Sequence, residues 1–385
     1  MTVRMRVSPV SASLTAVSLT RKLLAFDTRN PPGAERRCAE YLGGLLEQAG
    51  FSVGFYAFAP ERTSLVARMQ GRGDGLPICF TGHLDTVPLG ATAWKGDPFQ
   101  GEIDGDRIYG RGAADMKGGV AAMVMAGLRI AEMSKGRAGI TLVMTAGEET
   151  ACEGAYYLAS LGAVLSAAGA VIVGEPTSNL PALGHKGALW VQACTSGVTA
   201  HGSMPEKGIN AIYKAARAIS RLEAFDFDVA PHPLLGSPTL NVGTINGGIN
   251  INSVPDQATI GIDIRTIPHQ NHREVFEKLT TYLGEEVDLS RLVDVAGIAT
   301  DPENEWVQAV FSLMEAYLGE RPQARGLTYF TDAAVLTPAF GDPPTIILGP
   351  GEPEMAHKTD EWCRISAIET ASEVYLKIAQ QWCGL

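Results

Sequence analysis

The chain has 385 residues, more than one ordinary hydrophobic core accommodates, so two domains are expected. With 45% hydrophobic and 19% charged residues it is globular rather than disordered, and a formal net charge of −11 excludes an extended basic surface for nucleic acid or anionic lipid. Six cysteines without C-x-x-C spacing argue against a disulfide framework and for a reducing, cytoplasmic compartment, and no apolar run reaches the roughly 18 residues that a membrane span needs.

Residues 1–20 carry two arginines and then a Ser/Thr-rich stretch without a continuous apolar segment, so no signal peptide is expected. Apolar residues at helical spacing predict a helix over 11–26, stopped by Asn30-Pro31-Pro32-Gly33, and a second over 35–49, closed at Gly50. Strands are expected over 52–57 and 64–69. A Gly-rich turn then leads into a strand over 76–80, whose paired part begins at Ile78 because Pro77 cannot donate to a ladder. Residues 92–101 read as a loop, 118–133 as a helix, and 140–145 and 170–173 as strands. This alternation predicts a mostly parallel α/β sheet. From 184 to 295 the order changes to strand, helix, strand, strand, helix, strand, which suits an inserted α+β sandwich. Residues 1–183 and 296–385 then form the larger domain, which closes with a helix over 305–317, a strand over 345–348 and a helix over 365–380.

The chemistry-bearing residues sit mostly just after the apolar runs. His83 and Asp85, two apart in extended chain, share a face, so Asp85 can fix the tautomer of a ligating His83. Asp115 lies in a Gly-rich loop, Glu148 and Glu149 follow the strand at 140–145, Glu175 follows the strand at 170–173, and His357 follows residues 346–348 and a Gly/Pro turn. In an open α/β sheet such loops meet at one crevice, and two histidines with three or more carboxylates suit a dinuclear site for divalent metals.

Six motifs in one order then resemble a known family. They are Gly82-His83-Leu84-Asp85, Gly110-Arg111-Gly112 through Asp115-Met116-Lys117-Gly118, Gly147-Glu148-Glu149, Gly174-Glu175-Pro176-Thr177, Ala200-His201-Gly202-Ser203 and Ala356-His357-Lys358-Thr359-Asp360-Glu361. Together they resemble the M20 metallopeptidases and amidohydrolases, which include acetylornithine deacetylase and succinyl-diaminopimelate desuccinylase, over nearly the whole chain. The resemblance implies a catalytic domain with an inserted lid and dimerisation domain, and hence a homodimer. It implies Asp115 as a bridge between two metal ions, His83 and Glu175 capping one ion, Glu149 and His357 capping the other, and Glu148 as general base and then acid. Zinc is the expected metal, with cobalt or manganese as alternatives. On the lid, His201 is expected to donate a hydrogen bond to a developing oxyanion, often across the dimer. Asn252 and Arg265 are expected to bind the substrate carboxylate, Arg through its planar fork. The loop at 326–334 resembles the substrate-side loop, in which Thr328 contacts ligand; Tyr329-Phe330 there are bulkier than the family pattern and mark a place for unusual substrate choice.

Three readings follow. One is hydrolysis of a small acyl group from an N-acylated amino acid, and another is a di- or carboxypeptidase using the same metals and base. The third is a non-catalytic binding protein that keeps the fold, which the presence of all five ligands and Glu148 disfavours. A nucleotide-binding loop at 110–119 is excluded, because the segment has neither G-x-G-x-x-G nor G-x-x-x-x-G-K-[ST].

Overall fold

A computed structural model of the chain describes residues 14–133 and 136–385, so the first three residues of the helix expected over 11–26 and most of the stretch 1–20 lie outside the described residues. The chain divides into two compact units. One comprises residues 1–183, 300–325 and 331–385, the other residues 184–299 and 326–330.

In chain order the first unit opens with α1 (Ala16–Leu24), α2 (Arg36–Gln48), β1 (Ser52–Ala59), β2 (Arg62–Met69) and β3 (Gly75–His83). It continues with β4 (Glu102–Asp104), β5 (Arg107–Tyr109), α3 (Gly118–Ala131), β6 (Ala138–Thr145), α4 (Glu153–Ser160) and β7 (Ala170–Val173). The second unit contributes β8 (Gly184–His185), β9 (Gly187–Ser196), α5 (Ala211–Leu222), β10 (Thr239–Gly247), β11 (Gln257–Thr266), α6 (His272–Leu283), β12 (Asp288–Val295) and β13 (Ile298–Ala299). The chain then returns with α7 (Glu305–Leu318), α8 (Ala333–Ala339), β14 (Thr345–Ile347), β15 (Trp362–Arg364) and α9 (Ile365–Cys383).

The first unit is built on a six-stranded sheet of order β1-β2-β6-β3-β7-β14. Its β6, β3, β7 and β14 run parallel, and the β1–β2 hairpin adds two antiparallel strands at one edge. The fold is thus mixed α/β with a mostly parallel main sheet and a separate antiparallel sheet in the second unit. The parallel strands read as unbroken apolar runs because both faces are covered: every residue of β6 and β7 is buried. Pairing of β3 with β6 is continuous from Ile78, and pairing with β7 starts there, as the proline two residues into the apolar run requires. At the start of α1, the Thr15 hydroxyl accepts from the Ser18 amide at 3.1 Å and the Ser18 hydroxyl accepts from the Thr15 amide at 2.9 Å, while Leu19, Leu23 and Leu24 enter the core. A three-stranded sheet, β15-β5-β4, joins residues 362–364 to 107–109 and so brings the segment after His357 beside the loop of Asp115.

The second unit is a four-stranded antiparallel sheet of order β10-β11-β9-β12. Leu189, Val191, Ile260, Ile264, Ala215 and Leu279 form its core with α5 and α6. Residues 326–330 belong to this unit because their backbone pairs with β8 and its neighbour: the Leu327 amide donates to Gly184 O at 2.9 Å and the Lys186 amide to Leu327 O at 3.0 Å. No helix of the described residues is long and apolar enough to cross a membrane. All six cysteines are unpaired.

Candidate metal centre

The four parallel strands end side by side, and each delivers polar groups at its carboxyl end. His83 is the last residue of β3, Glu148 and Glu149 follow β6, Glu175 follows β7, and His357 follows β14. Close backbone approach makes this possible: a Cβ on Gly349 would stand 2.1 Å from Gly174 O, so the turns after β14 and β7 touch only because that side chain is missing. His357 itself has φ of 64°, a conformation unfavourable for a side-chain-bearing residue and of the kind held at functional sites.

Asp115 is placed by Glu361. The buried Glu361 carboxylate accepts from Arg111 Nη1 at 2.6 Å and from the amides of Gly112, Ala114 and Asp115 at 2.8–3.0 Å. The loop folds around this anion and presents the two Asp115 oxygens in different directions. Oδ1 lies 3.0 Å from His83 Nε2, and Oδ2 lies 3.4 Å from His357 Nε2. His83 Nε2 is 3.7 Å from Glu175, and His357 Nε2 is 3.1 Å from Glu149. Two groups of potential ligands result, His83–Asp115–Glu175 and Asp115–Glu149–His357, and Asp115 is common to both. The five residues expected as ligands therefore converge within the first unit.

The electrostatics fit a pair of cations. Asp85, Asp115, Glu148 and Glu175 are buried, Glu149 is nearly so, and among the described residues no lysine or arginine pairs with any of them. Burial, reinforced by the Glu175 charge, holds the Glu148 carboxyl well above the ordinary carboxylate range. Burial raises Glu175 in the same direction, and burial with the nearby Asp115 charge raises Glu149. Asp115 is lowered although burial opposes it, because His357 and His83 hydrogen-bond to it. Hydrogen bonds to Asp115 and Glu149 push His357 up to about 10. Glu149 Oε1 is buried without a hydrogen-bond partner. Such an excess of buried negative charge with an unpaired oxygen is what two divalent ions neutralise, and the mixed imidazole and carboxylate donors suit zinc-like metals.

Asp85 serves more than the expected histidine. His83 Nδ1 faces the Asp85 backbone oxygen at 3.0 Å, and the Asp85 carboxylate is farther away, at 3.6 Å. That carboxylate also accepts from the Glu148 amide at 3.0 Å, the Glu149 amide at 3.2 Å and Asn30 Nδ2 at 3.0 Å. Two backbone amides that would otherwise be orphaned outweigh one imidazole, which a carbonyl satisfies equally well. Asp85 fixes His83 through its main chain and the Glu148–Glu149 turn through its side chain.

The remaining expected residues all lie on the second unit. His201 is exposed and contacts Ser203 Oγ at 2.7 Å. Its strand segment pairs with Ser253, and the Gly202 amide donates to Asn252 O at 2.7 Å, so His201 and Asn252 are neighbours. Arg265 is half-buried and paired with Asp263 at 2.9 Å. Thr328 is exposed beside the Leu327 backbone bonds. Sequence reading gave no role to Glu361, Asn30 or Asp332. Glu361 stood inside a quoted motif, which was its only signal. Asp332, buried and hydrogen-bonded by Thr145 at the end of β6, is raised to about 6 by burial.

The chain is similar to known proteins in both sequence and fold. The family model of Peptidase family M20/M25/M40 matches residues 79–381. A probable succinyl-diaminopimelate desuccinylase of Staphylococcus epidermidis is 30% identical over 395 residues, covering 93% of this chain and 95% of that protein. The acetylornithine deacetylase of Proteus mirabilis is 30% identical over 389 residues, covering 96% of this chain and 97% of that protein. Among solved structures, an M20 family metallo-carboxypeptidase of Sulfolobus solfataricus superposes with a TM-score of 0.82 at 19% identity, covering 97% of this chain and 100% of its own. A tripeptidase of Staphylococcus aureus gives 0.76 at 24% identity, covering 96% and 98%. Both likenesses concern the fold. By its sequence the chain belongs to peptidase family M20/M25/M40, and it is a hydrolase of C–N bonds.

Proposed function

We propose that the chain removes a small acyl group from an N-acylated amino acid, as a dinuclear-metal amidohydrolase. The observation that carries this reading is the split of the Asp115 carboxylate between His83 and His357, with Glu148 left over as a buried carboxylate outside both ligand groups. Two divalent ions at such a site supply Lewis acidity, which polarises an amide carbonyl and lowers the pKa of water. Zinc is the first choice, with cobalt or manganese next.

His83, Glu175, Glu149 and His357 would hold the ions, and Asp115 would bridge them. Glu148 takes the proton from the attacking water and delivers it to the leaving amine. His201 donates to the oxyanion, and Asn252, Arg265 and Thr328 bind the amino-acid end. Because Arg265 is already paired with Asp263, the cation offered to a substrate carboxylate is a shared one. Deacylation is favoured over peptide cleavage because the relatives at 30% identity are named a desuccinylase and a deacetylase, whereas the peptidases among the solved structures resemble the chain at under 25% identity and speak to the fold alone.

The second unit also supports a homodimer. Its edge strand β10 and helix α5 carry Ile245 and Tyr213 exposed, and Ile249 and Ile251 just after β10 are 89% and 105% exposed, apolar surface that an interface between copies would cover. The unpaired cysteines suit a reducing compartment such as the cytoplasm.

The test is a hydrolysis screen of the zinc- and cobalt-loaded protein against N-acetyl, N-succinyl and N-formyl amino acids and several dipeptides, each with a chelated control. Metal-dependent release from one acyl series is the expected result. Cleavage of dipeptides alone establishes the peptidase reading instead, and silence across the panel with two metals bound overturns both.

A further inference from the structure

The turn that carries Glu148 and Glu149 is strained. Gly147, Ala151 and Cys152 all have positive φ, at 77°, 71° and 61°, and two of them bear side chains. Internal bonds close the turn: the Cys152 amide donates to Glu148 O at 3.0 Å and the Glu153 amide to Gly147 O at 2.9 Å. What fixes its outward half, where the two glutamates stand, is external. The Glu148 and Glu149 amides are held by Asp85, and Asp85 is held by Asn30.

Asn30 is 4% exposed and stands far from these residues in sequence. Its side-chain amide has two N–H protons, and both are used. One goes to Asp85 Oδ2 at 3.0 Å, the other to Thr150 Oγ1 at 2.9 Å. The Thr150 hydroxyl in turn donates to Glu153 Oε2 at 2.8 Å, and Glu153 pairs with Arg62 at 3.4 Å. This direction of donation leaves one orientation for the Asn30 amide, since a carboxylate and a hydroxyl that has spent its proton both require a donor. Asn30 is itself anchored: its backbone N–H donates to Thr86 O at 2.7 Å, Thr28 Oγ1 donates to Leu84 O at 2.7 Å, and Pro31 and Pro32 restrict the chain that follows.

We propose that Asn30 is a positioning residue for the Glu148–Glu149 turn, a fork that locks the Asp85 carboxylate to the turn it supports. The proposal rests on the reading of Glu148 as proton carrier and Glu149 as ligand. Asn30 touches neither a ligand nor reacting atoms. It sets where they stand, and both glutamates feel its loss together because Asp85 spans their two amides.

The test compares Asn30→Ala, the isosteric Asn30→Asp and Thr150→Val with the wild-type protein, using deuterium exchange of the segment 146–154, metal affinity by chelator competition, and steady-state kinetics. In Asn30→Ala, exchange of that segment rises roughly tenfold while β3 and the second unit exchange as before. Affinity for the more weakly held metal falls about 10–100-fold, and kcat falls by a similar factor with KM within about twofold. Asn30→Asp, which sets a second carboxylate against Asp85, is worse than Ala in each respect. Thr150→Val keeps the Asp85 bond and loosens the same segment less. Exchange that is unchanged there, or raised equally throughout the first unit, with wild-type metal affinity, overturns the proposal and leaves Asn30 an ordinary turn residue. If Asn30→Asp folds poorly, Thr150→Val decides by the same readouts: no loosening of 146–154 overturns the fork. Exchange and chelator competition need no substrate, so a failure of the deacylase reading does not disguise a failure of this one.

Discussion

Glu148 and His185 show how burial sets the chemistry of single side chains. Glu148 has no ligand role in the proposed centre, so Glu148→Gln should keep two metals per chain and lose about 10²–10⁴-fold or more in kcat. Turnover near wild type in the metal-loaded variant would sink the proton-carrier role. His185 lies fully buried in β8, its Nδ1 bonded to Lys186 O and its Nε2 without a partner, and burial lowers its pKa to about 4. A lowered folded pKa means that the neutral ring is preferred in the fold. Its contribution to stability is therefore complete above the ordinary value of 6.5 and is lost as pH falls from there toward about 4. Thermal unfolding followed over that window should show a shallower acid slope for His185→Phe than for wild type; parallel slopes would contradict the burial argument. The candidate positions His83, Glu149, Glu175 and His357 could be picked out in the sequence because each lies at or after the carboxyl end of a strand, and Asp115 through its Gly-rich loop motif. The further partners of the Asp85 carboxylate could not, because two amides and Asn30 lie across a tertiary contact for which no local spacing codes.

Elements explain what single residues cannot. The loop between β5 and α3 presents Asp115 only because the Glu361 anion collects three amides and a guanidinium from it. Asp115→Ala should cost at least one metal equivalent by elemental analysis, and two equivalents still bound would show that Asp115 is not the bridge. The long apolar strands and the helices could be read from pattern, since β6 is buried on both faces, although α1 begins at a Thr15–Ser18 capping box, later than the start that apolar spacing predicts. The β15–β5–β4 sheet could not, because its strands are three residues each and half their pairing joins residues 362–364 to 107–109. Nor did pattern assign residues 326–330 to the second unit. Their membership depends on two backbone bonds to the β8 region, and backbone bonds leave no trace in composition.

At the scale of the whole molecule, the buried carboxylates make the metal-free protein an electrostatically unfinished one. Exhaustive chelation should lower Tm by about 5 °C or more, with recovery complete at two equivalents of added zinc. An unchanged Tm would mean that the centre contributes nothing to folding. The proposed dimer predicts that Tyr213→Lys with Ile245→Lys turns a dimer by light scattering into a monomer. If His201 acts across that interface, mixing Glu148→Gln and His201→Ala subunits restores part of the activity that neither has alone. A monomeric wild type at micromolar concentration would remove both expectations.

The discontinuity of the first unit sets an order for synthesis. The second unit is nearly continuous in the chain, lacking only residues 326–330, and lies between the segments of the first. His83, Asp115 and Glu175 are all translated before it, whereas His357 and Glu361 follow it. At about 5–20 residues per second, the roughly 180 residues between Glu175 and His357 take roughly 10–40 s to translate. For that interval the nascent protein has the residues of one proposed ligand trio but lacks both His357 and the Glu361 carboxylate that holds the Asp115 loop. Both proposed ion sites therefore wait for the last segment of the chain, and the centre is expected to assemble only once translation is nearly over.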